Sequence, residues 1–338
     1  MQTSDFSYVL PDEKIAQRPI EPRDAARLLD TRDMTDHVFR ELADLLRPGD
    51  LVVVNKTRVR AARLHGRKRD SGGGVEVLLL GPVAGSRWKA LVKPSRRIRS
   101  GVVLDLGDLS ALVVTAHPGG VFELDLAAGE GSDIERLIAR DGETPLPPYI
   151  REPLHDPERY QTVFAERVGS AAAPTAGLHF TDRVVRSLEA RGIGMAAVEL
   201  EVGLDTFRPI GVENIADHVM HTERYAVPAE TAAAIAGTRR QGGRIVAVGT
   251  TVVRTLESAF DGGQVAFGDG STGLFITPGY RFGVVDLLVT NFHVPASTLV
   301  VLLAAFMGPG WRTSYAAALQ RNYRFLSFGD AMLAERHS

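Results

Sequence analysis

The sequence predicts an α/β protein: a discontinuous α/β sandwich domain with a small β-barrel domain inserted into it. Helical and strand-like segments alternate after residue 150, and short strand-like runs separated by turn residues fill the segment before it. A proline-stiffened stretch, 144–149, stands between these two patterns. We therefore expect residues 1–60 and 150–338 to form one α/β catalytic domain, with residues 61–149 as the inserted barrel domain.

The N-terminal part predicts a helix followed by a buried strand. Residues 35–47 carry apolar side chains at helical spacing, and Pro48 and Gly49 end the pattern. Residues 51–54 form a short apolar run without alternation. Such a run indicates a strand that is covered on both faces, as in a helix-covered sheet.

The middle of the chain predicts a small all-β unit. Five apolar runs separated by Gly, Pro, Ser and Asp have the spacing of strands in a sandwich or barrel. They cover residues 75–80, 88–92, 102–106, 111–115 and 121–126. A capping box, Ser132-x-x-Glu135, then predicts a helix that continues to Arg140.

The remainder predicts alternating helices and strands of an α/β sheet layer. The expected helices cover residues 181–191, 229–240, 251–259 and 297–307, and the expected strands cover 195–202, 244–248 and 284–290. The apolar run at 299–307 is far shorter than the roughly 20 residues that a bilayer requires. We therefore expect a buried core helix there and no membrane contact.

Composition excludes several classes of protein. Of the 338 residues, 44% are hydrophobic and 24% are charged, which is the balance of a globular chain. The chain has no cysteine, so disulfides, thiolate nucleophiles and iron–sulfur clusters are excluded. The first ten residues are polar and mixed, without the pattern of a signal peptide. We expect a soluble cytoplasmic protein.

Positive charge is concentrated in one segment. Residues 56–99 contain thirteen Lys and Arg against two acidic residues, a net charge of +11 in a chain whose total is −2. A solvated basic face is one interpretation. An excess of this size in an otherwise acidic chain also favours a polyanionic partner such as a nucleic acid.

Common nucleotide and metal motifs are missing. The chain has no G-x-x-x-x-G-K-[ST] and no H-E-x-x-H, and its nearest glycine fingerprint, at 192–197, follows a helix and opens a strand, the reverse of the Rossmann order. His218-x-x-His221 has the spacing of metal ligands but lacks the further ligands that such a site needs. We expect no metal site.

Three segments predict functional groups at strand ends. At 246–251 an apolar strand runs into Gly249, Thr250 and Thr251 before a helix, which suits a carboxylate or phosphate, although a plain threonine N-cap would read the same way. Two loops before helices carry His179 and His293. Ligands of open α/β sheets bind outside the carboxyl ends of strands, so these histidines suggest a catalytic cluster, with structural histidines as the alternative.

These residues belong to a set of ordered motifs that runs from Asp5-Phe6 to Met332. The motifs include Ile15-Ala16-Gln17, Pro22-Arg23-Asp24, Thr57-Arg58-Val59, 145–150 (PLPPYI), 160–163 (YQTV), 172–180 (AAPTAGLHF), 217–223 (DHVMHTE), 246–251 (VAVGTT), 278–280 (PGY), 290–293 (TNFH) and 323–332 (YRFLSFGDAM). On them the chain resembles the S-adenosylmethionine:tRNA ribosyltransferase-isomerase family of queuosine biosynthesis.

The resemblance implies a fold, an activity and partners. The family fold is an α/β domain with an inserted β-barrel. Its enzymes move the ribosyl part of S-adenosylmethionine onto 7-aminomethyl-7-deazaguanine at the tRNA wobble position and rearrange it, which gives epoxyqueuosine and releases adenine and methionine. S-adenosylmethionine is then a co-substrate, the partner is a tRNA carrying that base, and no prosthetic group is expected. Nothing in the sequence sets the oligomeric state, and a monomer is our expectation.

This chemistry requires a group that moves protons near neutral pH, and histidine is the natural candidate. We expect His179 to be the general base, ahead of the other catalytic candidates, which are His293, His218, His221 and Glu223. The expected substrate-binding residues are Thr175, Gly177, Phe180, Thr250, Thr251, Arg254, Asn291, Tyr323 and Asp330. The expected tRNA-binding residues are Arg58, Arg63, Arg67, Lys68, Lys93, Arg96 and Arg97.

Two positions depart from the family pattern. Asp205 stands in a loop that is usually glycine-rich, and Lys56 stands where the family usually has Asn or Asp. They motivate a sister transferase that acts on another base. A further alternative is a non-catalytic tRNA-binding module in which only the basic barrel is used.

Overall fold

The computed structural model describes residues 1–203 and 209–337. The chain divides into two compact units. The first comprises Met1–Arg58, Pro147–Arg167 and Ala173–Ser338, and the second comprises Val59–Leu146 and Val168–Ala172.

The described residues contain seventeen strands and seven α-helices. The strands are β1 (Arg27–Asp30), β2 (Thr35–Val38), β3 (Leu51–Asn55), β4 (Thr57–Val59), β5 (Arg63–Lys68), β6 (Gly74–Ala84), β7 (Arg87–Lys93), β8 (Val103–Leu106), β9 (Leu109–Ala116), β10 (Val121–Ala128), β11 (Arg167–Ser170), β12 (Gly194–Leu200), β13 (Glu223–Val227), β14 (Ile245–Val248), β15 (Gly268–Thr272), β16 (Leu287–Asn291) and β17 (Ala331–Glu335). The helices are α1 (Leu42–Leu45), α2 (Ile134–Asp141), α3 (Asp182–Ala190), α4 (Ala229–Arg240), α5 (Thr250–Ala259), α6 (Thr298–Met307) and α7 (Gly310–Gln320).

The first unit is built on a nine-stranded mixed sheet. Its strand order is β15, β13, β12, β3, β14, β16, β17, β1 and β2. The four strands β12, β3, β14 and β16 run parallel to one another, and β17 is antiparallel to β16. Their carboxyl ends therefore meet at one edge of the sheet. Strands β4 and β11 form a separate two-stranded sheet.

Two hydrophobic cores cover the two faces of this sheet. Along β3, Leu51 and Val53 pack into the core that includes α5, α6 and α7, whereas Val52 and Val54 pack into the core that includes α1 and α3. This double burial explains the apolar run without alternation and confirms the predicted helix-covered strand. Full burial of each such side chain is worth about 1.5–3 kcal/mol.

Helix α6 is the buried core helix that the sequence predicts. Nine of its ten residues are buried, and the side chain of Ser297 caps it by accepting from the backbone N–H of Val300. No helix in the described part of the chain has both the length and the apolar character needed to cross a membrane.

The second unit contains a closed six-stranded antiparallel barrel, with the order β10, β7, β6, β5, β8 and β9. Alternate residues fill its interior: in β7, Trp88, Ala90 and Val92 are buried. The mixed α/β class with a barrel is therefore confirmed. Strand β5 was not predicted, because its residues are mostly polar and only Leu64 is fully buried. Its Gly66 lies so close to β8 that a β-carbon would come 2.1 Å from the carbonyl oxygen of Asp105.

The structure corrects several predicted elements. The helix expected at 35–47 is wrong for its first residues, because 35–38 form strand β2, which pairs with β1 at the edge of the sheet. A 3₁₀ turn follows, and only Leu42–Leu45 is α-helical. The cap of α2 is Asp133 rather than Ser132, since its carboxylate accepts from two backbone N–H groups. Strands β1, β4, β11, β13, β15 and β17 and helix α7 were not predicted either.

Candidate active site

A cleft of about 550 Å³ lies at the carboxyl ends of β14 and β16. After β14 the chain contributes Thr250 and Thr251, and after β16 it contributes Phe292 and His293. Val202, just beyond the end of β12, borders the same cleft. This is the edge where ligands of open α/β sheets bind.

The turn after β14 presents the start of a helix to the cleft. Gly249 has φ of +90°, a conformation that favours glycine, and it is the N-cap residue of α5. The first backbone N–H groups of a helix have no partner within it and carry partial positive charge. Thr250 and Thr251 are both buried, and within the described residues the hydroxyl of Thr251 has no hydrogen-bond partner.

A hydrogen-bond network holds the imidazole of His293 in the cleft. Its Nε2 lies 3.1 Å from the hydroxyl of Thr290, and its Nδ1 lies 3.4 Å from the hydroxyl of Tyr315. The same Tyr315 hydroxyl accepts from the backbone N–H of His293 at 2.9 Å, and Tyr8 donates to the His293 carbonyl. Burial lowers the pKa of His293 to about 3, so the ring is uncharged at neutral pH.

Asn291 connects the cleft to His179. Its Oδ1 accepts from the hydroxyl of Thr175 at 3.0 Å, and its Nδ2 lies 3.2 Å from the carbonyl of Leu326. The same Nδ2 lies 3.2 Å from Nε2 of His179. Because an amide nitrogen can only donate, Nε2 of His179 is the acceptor and its proton resides on Nδ1.

His179 itself lines a second, smaller cavity of about 260 Å³, together with Arg23 and Arg159. Its ring packs on Phe39, with 4.9 Å between the centroids. Burial is the main reason that the pKa of His179 falls to about 4 instead of staying near neutrality. The first-ranked base of the sequence analysis therefore reaches the larger cleft only through Asn291.

The remaining catalytic candidates form a cluster around Glu223. Nε2 of His221 lies 3.1 Å from Oε1 of Glu223, and Arg254 pairs with Oε2. Burial alone would raise the pKa of Glu223, but the hydrogen bond from His221 and the charge of Arg254 lower it overall. His218 packs edge-on against Phe275, and partial burial followed by the charge of His221 lowers its pKa.

The guanidinium group of Arg254 therefore binds other groups of the protein. Besides Glu223, it donates to the carbonyl of Leu274 at 3.1 Å, and its side chain is only 5% exposed. It does not line the cleft, so the structure separates it from Thr250 and Thr251, with which the sequence analysis grouped it.

Besides Arg254, four expected substrate-binding residues lie outside both cavities. Phe180 belongs to a hydrophobic core, and Gly177 is buried. The hydroxyl of Tyr323 donates to a neighbouring carboxylate at 2.7 Å. Asp330 is buried and accepts from two backbone N–H groups. These four residues are therefore packed or hydrogen-bonded within the protein and do not line either cavity.

Some site residues had no assigned role in the sequence analysis. Tyr149 and Ser327 line the cleft and share a 2.7 Å hydrogen bond. Both belong to the quoted motifs, which were the only signal for them. Tyr8 and Tyr315 contact His293 from distant parts of the chain, and no local pattern marks them.

The expected tRNA-binding residues fall into two groups. Arg58 pairs with Glu158, and Arg63 lies 3.8 Å from Glu76. The other five extend from the second unit and have no carboxylate partner among the described residues. These five, here called the open basic set, are Arg67, Lys68, Lys93, Arg96 and Arg97.

Lys56, one of the two departures from the family pattern, is paired with carboxylates. Lys56 binds Glu166 at 3.0 Å and lies 3.8 Å from Glu199, which raises the pKa of its ammonium group. Asp205, the other departure, falls outside the described residues.

Across 1–203 and 209–337, no group of three His, Asp or Glu side chains is arranged to hold a metal ion.

Known proteins are similar to almost the whole length of the chain. A family model described as "Queuosine biosynthesis protein" matches residues 3–334. Proteins of Heliobacterium modesticaldum and Symbiobacterium thermophilum, both named S-adenosylmethionine:tRNA ribosyltransferase-isomerase, are 49% and 50% identical, and each match covers 98% of this chain and 99% of the relative. The crystal structure of an S-adenosylmethionine tRNA ribosyltransferase from Thermotoga maritima is 38% identical, with a TM-score of 0.54 over 98% of this chain and 99% of that one. The chain therefore belongs to the queuosine biosynthesis protein family, in which these ribosyltransferase-isomerases are found.

Proposed function

We propose that this chain transfers and isomerises the ribosyl group of S-adenosylmethionine onto a tRNA. The acceptor is 7-aminomethyl-7-deazaguanine at the wobble position, the product is epoxyqueuosine, and adenine and methionine leave. The enzyme acts in the cytoplasm as a monomer. The observation that carries this proposal is the cleft at the carboxyl edge of the sheet, in a chain about half identical over almost its full length to enzymes of that name.

The cleft suits S-adenosylmethionine as the donor. Its described lining is largely apolar and includes the aromatic residue Tyr149. An aromatic ring attracts a sulfonium cation, for about 0.5–2 kcal/mol. No Asp, Glu, Lys or Arg is found among the described lining residues. The zwitterionic amino-acid group of this donor has no net charge, so only the sulfonium adds a net charge to the cleft.

In this proposal His293 accepts a proton from the donor. The sulfonium acidifies the ribose C5′ protons, and an uncharged imidazole in the cleft can take one. The bond to adenine and one ring C–O bond of the ribose then break, the acceptor amine bonds to a ribosyl carbon, and a new carbon–carbon bond closes the cyclopentane ring. The freed ring oxygen forms the epoxide by breaking the carbon–sulfur bond, which releases methionine. One proton is released overall. His179 supports the site through Asn291.

Turnover with a defined tRNA tests the function. The chain is incubated with S-adenosylmethionine and a tRNA that carries 7-aminomethyl-7-deazaguanine; adenine release is followed by chromatography and the anticodon nucleoside by mass spectrometry. We expect stoichiometric adenine and epoxyqueuosine, and no product with a tRNA that carries guanine. His293→Gln should lower turnover at least about 100-fold, the scale of general acid–base catalysis, without unfolding the chain.

Other outcomes would favour the alternatives. Tight tRNA binding without adenine release would indicate the non-catalytic module. Adenine release with a different modified nucleoside would indicate a sister transferase. Full turnover by His293→Gln would refute the assignment of the base but not the reaction.

A further inference from the structure

The start of helix α5 carries an unused hydrogen-bonding group inside the cleft. Thr251 is 8% exposed and lines the cleft, and its Oγ1 is buried without a partner among the described residues. Buried polar atoms are almost always satisfied, and an orphan costs about 1–3 kcal/mol. A ligand group that bonds this hydroxyl would remove that cost.

The space in front of this hydroxyl is kept open by Gly249. A β-carbon at residue 249 would stand 3.4 Å from Oγ1 of Thr251 and 3.7 Å from Cβ of Ala176. Glycine leaves that volume empty, next to the first backbone N–H groups of a ten-residue helix. Those N–H groups and the helix dipole favour a negatively charged group.

The one arginine of α5 does not compete for such a group. The Arg254 guanidinium, one turn further along α5, is neutralised by Glu223. The described lining has no charged side chain, so nothing there would balance the double charge of a phosphate. A carboxylate with an ammonium group on the same carbon has no net charge and fits these surroundings.

We propose that the N-terminus of α5 binds the α-carboxylate of the methionyl group of S-adenosylmethionine, through the backbone N–H groups of Thr250 and Thr251 and the hydroxyl of Thr251. This assignment rests on the proposed function. In this arrangement α5 binds the methionine end of the donor, and the rest of the cleft binds the sulfonium and the ribose.

The test compares S-adenosylmethionine with its decarboxylated form, S-adenosylmethioninamine, as donors to the modified tRNA. We expect Thr251→Val to lower kcat/KM for S-adenosylmethionine about tenfold, the effect of one hydrogen bond to a charged group. The value for the decarboxylated donor should stay within about twofold, since that donor has no group for the hydroxyl to bind. Equal losses with both donors would overturn the proposal.

Thr255→Val is the matched control. Thr255 lies one turn along the same helix, is fully buried and donates to the carbonyl of Thr251 at 3.0 Å, outside the cleft. It should leave the ratio of the two donors unchanged. Thr251→Val should unfold at the same temperature as the unchanged chain or a higher one, because the deleted hydroxyl has no partner.

A second measurement needs no variant. L-methionine should inhibit the unchanged enzyme at least about tenfold more strongly than L-methioninol, which lacks the carboxylate. Equal inhibition would also overturn the proposal. If the enzyme turns over normally while either comparison fails, only this inference is lost; if adenine is never released from S-adenosylmethionine, the proposed function fails with it.

Discussion

Burial keeps the imidazoles of His179 and His293 uncharged. Each ring accepts or shares hydrogen bonds with neutral partners, Asn291 for the first and Thr290 and Tyr315 for the second. No carboxylate is hydrogen-bonded to either ring among the described residues, and the charge of Asp330 offsets only part of the burial that lowers the pKa of His179. Both rings are therefore uncharged at physiological pH.

The stability of the protein should reflect this burial. The pKa of His293 in the folded chain, about 3, lies below the roughly 6.5 of an exposed imidazole. Between these values the unfolded chain binds a proton that the folded chain does not, so stability falls as the pH drops from about 6.5 towards 3. We expect His293→Gln to reduce this slope by up to about 1.4 kcal/mol per pH unit.

Urea unfolding between about pH 7 and pH 4 measures this slope. The exposed His155 supplies the control, because His155→Gln should leave the slope unchanged. Identical slopes for His293→Gln and the unchanged chain would contradict the buried neutral state.

The orientation of His293 depends on Tyr315. Its hydroxyl accepts from the backbone N–H of His293 and faces Nδ1, which fixes the ring and its tautomer. Tyr315→Phe should therefore lower kcat about tenfold and shift the pH profile of kcat, with KM for S-adenosylmethionine nearly constant. Steady-state adenine release checks this. Tyr280→Phe, whose hydroxyl contacts Glu257 instead, should behave like the unchanged chain; a Tyr315→Phe enzyme with a normal pH profile would remove the positioning role.

At the scale of elements, helix α3 anchors the loop that carries His179. The hydroxyl of Thr181 accepts from the backbone N–H of Val184 at 3.4 Å and donates to Oδ2 of Asp24 at 2.7 Å. Arg183 binds the same carboxylate. The cap thus ties the start of α3 to the N-terminal segment, two residues beyond the histidine.

Thr181→Ala should reduce the free energy of unfolding by about 1–2 kcal/mol, since it removes an N-cap and a hydrogen bond to a buried carboxylate. Thr181→Ser keeps the oxygen and should lose less than about 0.5 kcal/mol. Equilibrium urea denaturation compares the two. Equal losses would show that packing of the methyl group, rather than the cap, stabilises the helix.

At the scale of the whole molecule, positive charge is concentrated in one segment, residues 56–99, which carries a net charge of +11 in a chain whose total is −2. Not all of its arginines are available to a polyanion: Arg60 is buried and paired with Glu135, and Arg69 binds Asp105 at 2.6 Å. The side chains of the open basic set have no carboxylate partner among the described residues, so their positive charges are available to bind phosphates. We propose that this set contacts tRNA phosphates.

Replacing Arg96 and Arg97 together by Gln should weaken tRNA binding and reduce the slope of log affinity against log salt by about 1–2. Arg69→Gln should change the slope less, because its partner already neutralises it. Filter binding or fluorescence anisotropy at several salt concentrations measures both. If the affinity of the unchanged chain for tRNA does not depend on salt, the open basic set does not bind tRNA phosphates.

Local patterns predicted the parts of the site that local structure builds. A strand that runs into Gly249, Thr250 and Thr251 before a helix places those groups at the carboxyl edge by chain order alone. Partners from distant segments were beyond such reasoning: Tyr8 reaches the carbonyl of His293 across 285 positions. The commitment of Arg254 to Glu223 likewise depends on two elements that meet only in the folded sheet.

The sequence by itself determined the α/β class, the barrel, the doubly covered central strands and the family, because periodicity, turn residues and contiguous motifs are properties of neighbouring residues. Only the tertiary structure decided which imidazole lines the cleft, which arginines keep a free charge and which hydroxyl lacks a partner. Those properties follow from desolvation and from contacts between segments that are remote along the chain, and no local pattern encodes them.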